Sequence, residues 1–579
     1  MIAEHAVQPV ITVDGRPLPA ELKPFVEQVV VDDHLELPDA FEVCLLDPQH
    51  DMLAQAGLRV GARVEISGNA RGSQEGQPLI HGEVTALEAD YGVRGARVLV
   101  QGFDMSHRLQ RGTRTDVYRN ETDSGIVRKV AQRAGLELGE IESTSQTHEQ
   151  VAQPNLSDWD FLKARAQAIG YELTVLEGKL HFRSRRRSAD APTEGNLLSS
   201  TARQLVFGDG LLEYHQRVSA AAQVSEVEVR GWDAEQKQAV SATASAGTTA
   251  AESDAASPAS LAQLFGGRRL VSVAEPYARS AQAEEAAGAI AEAIGSSFAE
   301  ADGTCRGDPQ LRAGTAVSVA GVGAAFDGRY VLTHTRHVFD GDGYRTHFSI
   351  SGRHNRSLLA LVARPSASNG TTATQAGSTT VAGLVRGIVT DNNDPQELGR
   401  VKVKMPALDD NLESSWAPVT QLGAGPDSGA VFLPEVNDEV LVGFEHGRFD
   451  YPVVVGSLYN GRDKPRLGDG LLDNGKVRRR GFVSRKGHRF VFFDDDQDAG
   501  IALLTSDGDI RLALKETGQE LHLYCGGKVI VEAGQDMTLK SGTGLTIEAG
   551  TQLTLKGSSG VKLQSDGIVD VDGSLIQLN

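Results

Sequence analysis

An eight-residue repeat near the C-terminus constrains the fold of this 579-residue chain more than any other feature. Counted from Leu521, the first and third positions of seven successive octads are apolar at all fourteen places, although apolar residues make up only 40% of the chain. The sixth position is small or turn-forming, beginning with Gly526, Gly534, Gly542 and Gly550. The apolar positions are Leu521, Leu523, Val529, Val531, Met537, Leu539, Leu545, Ile547, Leu553, Leu555, Val561, Leu563, Val569 and Val571.

Each octad predicts one short strand, with an apolar face and a polar face, followed by a turn. One such strand cannot enclose a core, so each coil of a β-helix needs three octads from one chain or one octad from each of three chains. Seven octads give barely two coils in the first case and about seven enclosed rungs in the second. We therefore expect an intertwined triple-stranded β-helix in a homotrimer, with the apolar positions as its core. An antiparallel meander whose spacing is coincidental is the alternative.

The rest of the chain predicts a mainly β protein with some α-helix and more than one domain. Two helices are expected between 120 and 180, where Thr122 and Ser157 are candidate N-caps and Gly135 and Gly170 are candidate stops. Beyond a Ser/Thr/Gly-rich linker, five short strands in about eighty residues have the size of an OB-type barrel. The expected domains are a hub at 1–365 with two barrel-like modules, helices and a low-complexity loop near 237–260, a linker at 366–380, an OB-fold domain at 381–460, a neck at 461–520 and the octad-repeat needle at 521–579.

Charge and cysteine content exclude several classes of protein. The formal net charge of −20 argues against a nucleic-acid partner, because proteins that bind nucleic acids usually present a basic surface. Three widely separated cysteines, Cys44, Cys305 and Cys525, predict neither a disulfide framework nor a metal cluster. No apolar run approaches the length of a membrane-spanning helix, and the first residues lack the pattern of a Sec signal. We expect a protein made in a reducing cytoplasm that leaves the cell, if at all, by another route.

No motif in the sequence predicts catalysis. The patterns G-x-S-x-G, H-E-x-x-H and G-x-x-x-x-G-K-[ST] are absent. His334 and His337 are three residues apart on an expected strand, which places them on opposite faces and argues against a shared metal. The acidic turn at Asp494, Asp495 and Asp496 lacks the spacing of a calcium-binding loop. We predict that the chain is not an enzyme and that it has no catalytic, cofactor-binding or metal-binding residues.

Six stretches of the chain resemble the VgrG family, in which the hub and spike proteins of contractile phage tails are fused. They lie in family order and are "SHRLQRGTRT", "SDWDFLKARAQAIGYEL", "FDGRYVLTHTRHVFDGDGYRTHFSISG", "DPQELGRVKVKMP", "PVVVGSLYNGRDKP" and "RKGHRFVFFDDDQDAGIALLTSDGDI". The resemblance implies phage-tail-hub-like barrel domains that form a pseudo-sixfold ring in the trimer and match a hexameric tail tube. It also implies a PAAR-type tip protein on the end of the needle, docked at Ser574, Leu575, Ile576, Gln577, Leu578 and Asn579.

The function expected from this resemblance is that of a structural trimeric spike in a contractile injection system, which pierces the target envelope. The implied partners are two further copies of the chain, the tail tube protein, baseplate proteins, the tip protein and effector cargo, within a phage tail-like particle delivered outward on firing. The sequence does not distinguish between three kinds of contractile machine, which are a type VI secretion system, an extracellular phage-tail-like particle and a cytoplasmic contractile system. Two alternatives stay open: a hub with a cryptic envelope-degrading or toxic enzymatic activity, and a trimeric adhesin or fibre. The region 461–520 is too short for an ordinary catalytic domain.

Overall fold

The computed structural model describes residues 8–69, 76–93, 95–193, 203–233, 236–273, 276–352, 383–408, 412–467, 470–495 and 497–577. The chain divides into two compact units, Met1–Asn460 and Gly461–Asn579. The expected linker at 366–380 lies outside the described residues, as do Asp496 and two positions of the expected tip-docking segment, Leu578 and Asn579. Within the ranges given above, no helix is long and apolar enough to cross a membrane.

The first unit begins with a β region that has its own core. Its strands alternate between buried and exposed side chains, so that Val29, Val31, Leu45 and Ile66 face one interior. A five-residue helix ends at Gly57, whose φ of +69° is the left-handed conformation that glycine adopts without strain. The elements are β1 (Val10–Val13), β2 (Arg16–Pro17), β3 (Val26–His34), β4 (Ala40–Leu46), α1 (Met52–Ala56), β5 (Arg63–Asn69), β6 (Gly76–Gly92) and β7 (Gly95–Asp104).

An α/β module follows, and its two helices confirm the expected caps. Thr122 Oγ1 accepts a hydrogen bond from Gly125 N at 3.1 Å, and Ser157 Oγ accepts one from Asp160 N at 3.1 Å. Gly135 and Gly170 adopt positive φ just beyond the two helices. The elements are β8 (Arg114–Thr122), α2 (Asp123–Ala134), β9 (Glu137–Ile141), β10 (Thr147–Leu156), α3 (Asp158–Ala168), β11 (Tyr171–Leu176) and β12 (Lys179–Ser184).

A second β region completes the hub and joins the first through one continuous sheet. The elements are β13 (Gln204–Phe207), β14 (Gly210–Val218), β15 (Glu226–Asp233), β16 (Gln238–Ser245), β17 (Ala251–Ser253), α4 (Pro258–Leu264), β18 (Arg269–Ser272), α5 (Ser280–Ser296), β19 (Ala299–Arg306), β20 (Ala316–Ala320), β21 (Gly328–Val331), β22 (His334–Asp340) and β23 (Gly343–Ile350). The sheet has fifteen strands in the order β17-β21-β20-β13-β14-β19-β23-β22-β3-β4-β7-β6-β5-β1-β2. The two regions meet where β22 pairs antiparallel with β3, with Val338 opposite Val30.

The expected low-complexity loop near 237–260 is wrong for most of that stretch, which forms β16, β17 and the start of α4. Strand β16 pairs with β15 along its whole length. Val240 and Ala242 are buried against Ala283 and Ala287 of α5. A composition rich in Ser, Thr and Ala suggested that nothing here would be buried. The small side chains instead alternate along the strand and allow an Ala-rich helix to pack closely on it.

The described part of the expected OB-fold domain is a small closed barrel. Four strands form a sheet in the order β25-β24-β28-β29. A fifth segment closes it, because Ala417 bridges antiparallel to Val401 and Val419 bridges parallel to Val454. The interior is filled by branched side chains such as Val403. The elements are β24 (Val385–Asp391), β25 (Lys402–Lys404), β26 (Ala424–Gly425), β27 (Ser428–Gly429), β28 (Glu439–Phe444) and β29 (Pro452–Ser457).

Three buried carboxyl groups and one guanidinium link the two β regions of the hub. Asp33, Asp39 and Asp104 come from the first region, and Arg312 reaches them from the second. Arg312 Nε donates to Asp33 Oδ2, and Arg312 Nη2 lies 3.7 Å from Asp39 Oδ2. Burial and the two neighbouring carboxylates raise the pKa of Asp39 well above its ordinary value. Burial raises the pKa of Asp104 to about 7, although Ser106 N and Oγ both donate to its Oδ1.

The second unit starts with two short hairpin strands and a five-stranded antiparallel meander in the order β32-β33-β34-β35-β36. We call this meander the neck sheet. The elements are β30 (Leu472–Asp473), β31 (Lys476–Val477), β32 (Arg479–Val483), β33 (Arg489–Phe493), β34 (Gly500–Leu504), β35 (Ile510–Lys515) and β36 (Glu520–Cys525).

Candidate assembly surface

The octad repeat exposes every one of its fourteen apolar positions. The first two, Leu521 and Leu523, lie in β36, where Leu523 pairs with Leu512 of the preceding strand. The other twelve lie between 526 and 577, where the described residues form no strand within this single chain. Their side chains are 53–70% exposed, from Val529 at the low end to Leu563 at the high end. A regular double row of large apolar side chains is therefore without cover in one copy of the chain.

The turns and the end of the repeat are exposed as well. At Gly534, Gly542 and Gly550 an added Cβ would meet no atom within 4 Å, so these turns have open space around them. Leu575 and Ile576, in the expected tip-docking segment, are 81% and 52% exposed. The described end of the chain therefore offers apolar side chains to a partner.

The neck sheet presents one of its faces as two further apolar rows. Residues directly opposite one another in adjacent strands share a face, so the register defines each row. The first row is Phe482, Phe490, Leu503, Leu512 and Leu523. The second row is Arg480, Phe492, Ile501, Leu514 and Leu521. We call this side the apolar face.

Sequence reasoning missed the neck sheet as a surface and treated 461–520 only as a connection. The signal is the period-2 alternation in "IRLALK" and "ELHLYC", where Ile510, Leu512 and Leu514 point to one side and polar or small residues to the other. That pattern indicates a strand with one face covered.

The two histidines considered as metal ligands lie on opposite faces of β22, as expected. His337 is buried and its Nδ1 lies 2.8 Å from Tyr344 Oη, whereas His334 Nε2 lies 3.1 Å from Asp32 Oδ1. Burial and the nearby Arg312 guanidinium lower the pKa of His337 to about 3. Within the described part of the chain, no group of three or more His, Cys, Asp or Glu side chains is arranged to hold a metal ion.

A cavity of about 300 Å³ lies in the hub between α3, the loop after β3 and the end of β23. Several polar side chains that line it are ion-paired or hydrogen-bonded to other groups of the hub. Lys163 Nζ lies 2.6 Å from Glu36 Oε2, and His34 Nδ1 accepts from Glu36 N at 2.9 Å. Burial and the neighbouring His334 lower the pKa of His34 to about 4, so the ring is neutral at pH 7. Thr333 Oγ1 bonds to Ser349 O and to Ser351 Oγ, each at 2.9 Å.

Two family matches cover most of the chain. Residues 5–340 match the family described as the Alg8 N-terminal domain, and residues 385–459 match the type VI secretion system/phage-baseplate injector OB domain. The first description names no activity and leaves the question of catalysis open. The second match corresponds to the closed barrel described above and confirms the OB-type prediction.

Relatives among characterised proteins are spike proteins. The type VI secretion system spike proteins VgrG2a and VgrG2b of Pseudomonas aeruginosa are each 36% identical to this chain over 73 residues. That stretch is 12% of this chain, and it is 9% of VgrG2a and 7% of VgrG2b. The matched region is thus a small part of those longer proteins.

Solved structures extend the likeness to nearly the whole chain. A chain of the lidded Francisella PdpA-VgrG complex has a TM-score of 0.53 at 9% identity, with 90% of this chain and 81% of that chain covered. A chain of the lidless complex has a TM-score of 0.50 at 9% identity, with 90% and 98% covered. At this identity the likeness shows the fold alone. These matches confirm the resemblance to VgrG spike proteins. The chain thus belongs to the family of the Alg8 N-terminal domain and carries the OB domain of type VI secretion and phage-baseplate injectors.

Proposed function

We propose that this chain is the structural spike of a contractile injection system and acts as a homotrimer. The observation that carries the proposal is the repeat, whose apolar side chains recur every eight residues and stay exposed in one copy. Three copies that each contribute one octad per rung would enclose these rows around a common axis. Polar residues at the fourth position support such stacking, because Glu532, Lys540, Glu548 and Lys556 would place opposite charges in successive rungs.

The hub and the needle have different tasks in this proposal. The hub would form a pseudo-sixfold ring from two β regions in each of three chains and connect the hexameric tail tube to the threefold needle. Baseplate proteins would hold the ring, and effector cargo would travel with it. A PAAR-type tip protein would sit on the exposed apolar end around Leu575 and Ile576. A β-helix suits penetration, since bending it must break hydrogen bonds in several rungs together.

We further propose that the chain has no catalytic role. Several polar groups around the hub cavity are bonded to one another and to the fold. The relatives named above are described as spike proteins. The protein would therefore act as a part of a phage tail-like particle that is delivered outward on firing.

The test is a charge placed in the core of the proposed needle. Ile547→Asp would bring three carboxylates together around the axis, and buried unpaired charges cost several kcal/mol each. We expect light scattering to show the loss of the trimer, which has a mass of about 185 kDa for chains of 61.6 kDa. We also expect the assembled machine to lose effector delivery into target cells.

The matched control is Thr546→Asp, which adds the same charge at the neighbouring position on the outward face. This variant should keep both the trimer and effector delivery. A trimer of normal mass that delivers normally in Ile547→Asp would refute the needle core. Solubilised fragments released from peptidoglycan by the pure protein would instead support an enzyme in the hub.

A further inference from the structure

The cavity in the hub lies where three parts of the hub meet. Its walls come from the loop after β3, from α3 and β11 of the α/β module, and from the ends of β21 and β23 in the second β region. Its volume of about 300 Å³ is at the lower end of the range of about 300–1,000 Å³ that small-molecule sites occupy. Such sites form preferentially between separate modules of a protein. The position and size of the cavity therefore suit a small ligand.

The wall formed by the α/β module carries polar groups that make no hydrogen bond within the described part of the hub. Arg185 is bonded only through its Nε, which donates to Tyr171 O at 3.1 Å, and both of its Nη groups are left over. The Tyr171 hydroxyl and the Gln167 side-chain amide are unbonded there as well. All three side chains are half-buried. Because polar groups withdrawn from water usually have partners, a ligand that bonds to them would complete this set.

The same three groups favour a ligand that accepts hydrogen bonds. A guanidinium stays protonated and only donates, and the amide of Gln167 supplies two further N–H groups. Burial and the Glu142 and Glu285 carboxylates raise the pKa of Tyr171. The Tyr171 hydroxyl therefore keeps its proton at pH 7 and can donate it to a ligand oxygen.

The charges around the cavity favour a single negative charge on the ligand. Of the lining carboxylates, Glu36 already pairs with Lys163, at 2.6 Å between Oε2 and Nζ. Glu172 Oε1 accepts from Arg183 Nε at 2.8 Å. Arg185 makes no ion pair among the described residues, and a guanidinium binds carboxylate or phosphate through two parallel hydrogen bonds. Since Glu36 and Glu172 would repel the second charge of a phosphate, a carboxylate suits this site better.

The rest of the lining fits a hydrocarbon chain. Leu173, Val331 and Ile350 are buried apolar side chains that line the cavity. Leu37 also lines it and is 41% exposed, so the protein itself does not fully cover this large apolar side chain. A hydrocarbon chain in the cavity would remove that surface from water.

We propose that the hub cavity binds a small aliphatic carboxylate. The carboxylate lies on the Arg185 guanidinium and accepts from the Gln167 amide and the Tyr171 hydroxyl, and the hydrocarbon packs against Leu37 and Leu173. A free aliphatic acid and the C-terminal carboxylate of a peptide that ends in an aliphatic residue share this chemistry. The bound ligand contacts all three parts of the hub and stabilises their arrangement. The site lies within the first unit of one chain, so it does not depend on the proposed trimer.

Isothermal titration calorimetry of the full-length protein with octanoate tests the proposal. We expect one saturable site per chain with a Kd below about 1 mM, and binding of octanamide, which has the same hydrocarbon without the charge, that is at least about tenfold weaker. N-acetylleucine, which ends as a peptide does, distinguishes the two sources. Tighter binding of octanoate identifies a free acid, and tighter binding of N-acetylleucine identifies a peptide terminus.

Three variants locate the binding in the cavity. Arg185→Gln should weaken octanoate binding by at least about tenfold, because both Nη groups are lost. Arg187→Gln is the matched control and should leave binding unchanged, since Arg187 is exposed and is not part of the lining. Arg185→Gln also removes the bond to Tyr171 O, so Tyr171→Phe provides a second variant. It should weaken binding by about threefold to tenfold and leave thermal unfolding unchanged, because the lost hydroxyl makes no hydrogen bond among the described residues.

Three results would overturn the proposal. The first is an absence of saturable binding by both octanoate and N-acetylleucine up to about 10 mM. The second is octanamide binding as tight as that of octanoate, or octanoate binding that is unchanged in both Arg185→Gln and Tyr171→Phe. The third is tighter binding of octyl phosphate than of octanoate, which would contradict the choice of a carboxylate. The mass of the assembly is measured separately, so failure here leaves the proposed spike function standing.

Discussion

The buried carboxyl group of Asp104 should make the stability of the hub depend on pH. The Asp104 side chain lies in the cluster with Asp33, Asp39 and Arg312, and its pKa is raised to about 7 by burial. An acid whose pKa is higher in the folded state than in the unfolded chain binds its proton on folding. Its contribution to stability is therefore complete at low pH and is lost as the pH rises through the folded pKa.

Asp104→Asn removes this titration and keeps the local geometry. The asparagine Oδ1 can still accept from Ser106 N, a bond of 2.9 Å in the native protein. Between pH 5 and pH 7 the contribution of the native carboxyl group to folding stability falls by about 1.4 kcal/mol per pH unit, or by about 3 kcal/mol in all. We therefore expect the free energy of unfolding of the variant, relative to that of the native protein, to be about 3 kcal/mol higher at pH 8 than at pH 5. The substitution also removes one of the two carboxylates that raise the pKa of Asp39, and this change adds to the gain at pH 8 in the same direction.

Guanidinium unfolding at the two pH values, at one fixed protein concentration, measures the effect on the hub transition. Asp342→Asn is the matched control, because the Asp342 side chain is 83% exposed on the hairpin between β22 and β23. Its effect should be the same at both pH values. An effect of Asp104→Asn that is equal at pH 5 and pH 8, or a loss that is greater at pH 8, would refute the reasoning.

Two further predictions concern the hub. Burial alone would raise the pKa of Asp123, but the Arg165 guanidinium and the His148 ring lower it to about 2. Asp123→Asn should therefore cost about 2 kcal/mol in urea unfolding at pH 7, and this cost should disappear as the pH falls from 4 towards 2. Gly102→Ala should cost about 3 kcal/mol, because its Cβ would lie 2.2 Å from Glu83 O, whereas Gly288→Ala on the exposed side of α5 should be neutral or stabilising in the same thermal scan.

Local signals in the sequence were enough to predict some elements. Helices α2 and α3 begin one residue after Thr122 and Ser157, as expected. The sequence predicts these caps because the capping hydrogen bond joins residues only three positions apart. The strands of the barrel were also readable from alternation and turns. The closing segment also lies in one of the five expected strands, although Ala417 and Val419 are held there only by single bridges to the strands on either side.

Contacts between distant parts of the sequence could not be predicted in this way. Pairing of Val338 with Val30 joins residues about 300 positions apart, and nothing local to either strand specifies the other. The same holds for Arg312, whose partners lie in another β region. Composition was misleading at 237–260, where small side chains are buried because an alanine-rich helix packs on them.

The two units of the chain differ in how many apolar side chains they bury, and therefore in how stable each unit is in a single copy. The hub and the barrel have several cores, but among the described residues of Gly461–Asn579 only Val491 and Ala502 are buried apolar side chains. Ordering about a hundred residues costs on the order of 100 kcal/mol of conformational entropy, and two buried side chains offset only about 3–5 kcal/mol of it. We therefore expect the unit Gly461–Asn579, called the tail here, to become ordered only when other copies cover its apolar rows, whereas the hub becomes ordered in a single copy. Dilution should then reduce hydrogen-exchange protection in the tail together with the trimer mass, and the pH response at Asp104 should be the same in the single chain and in the trimer.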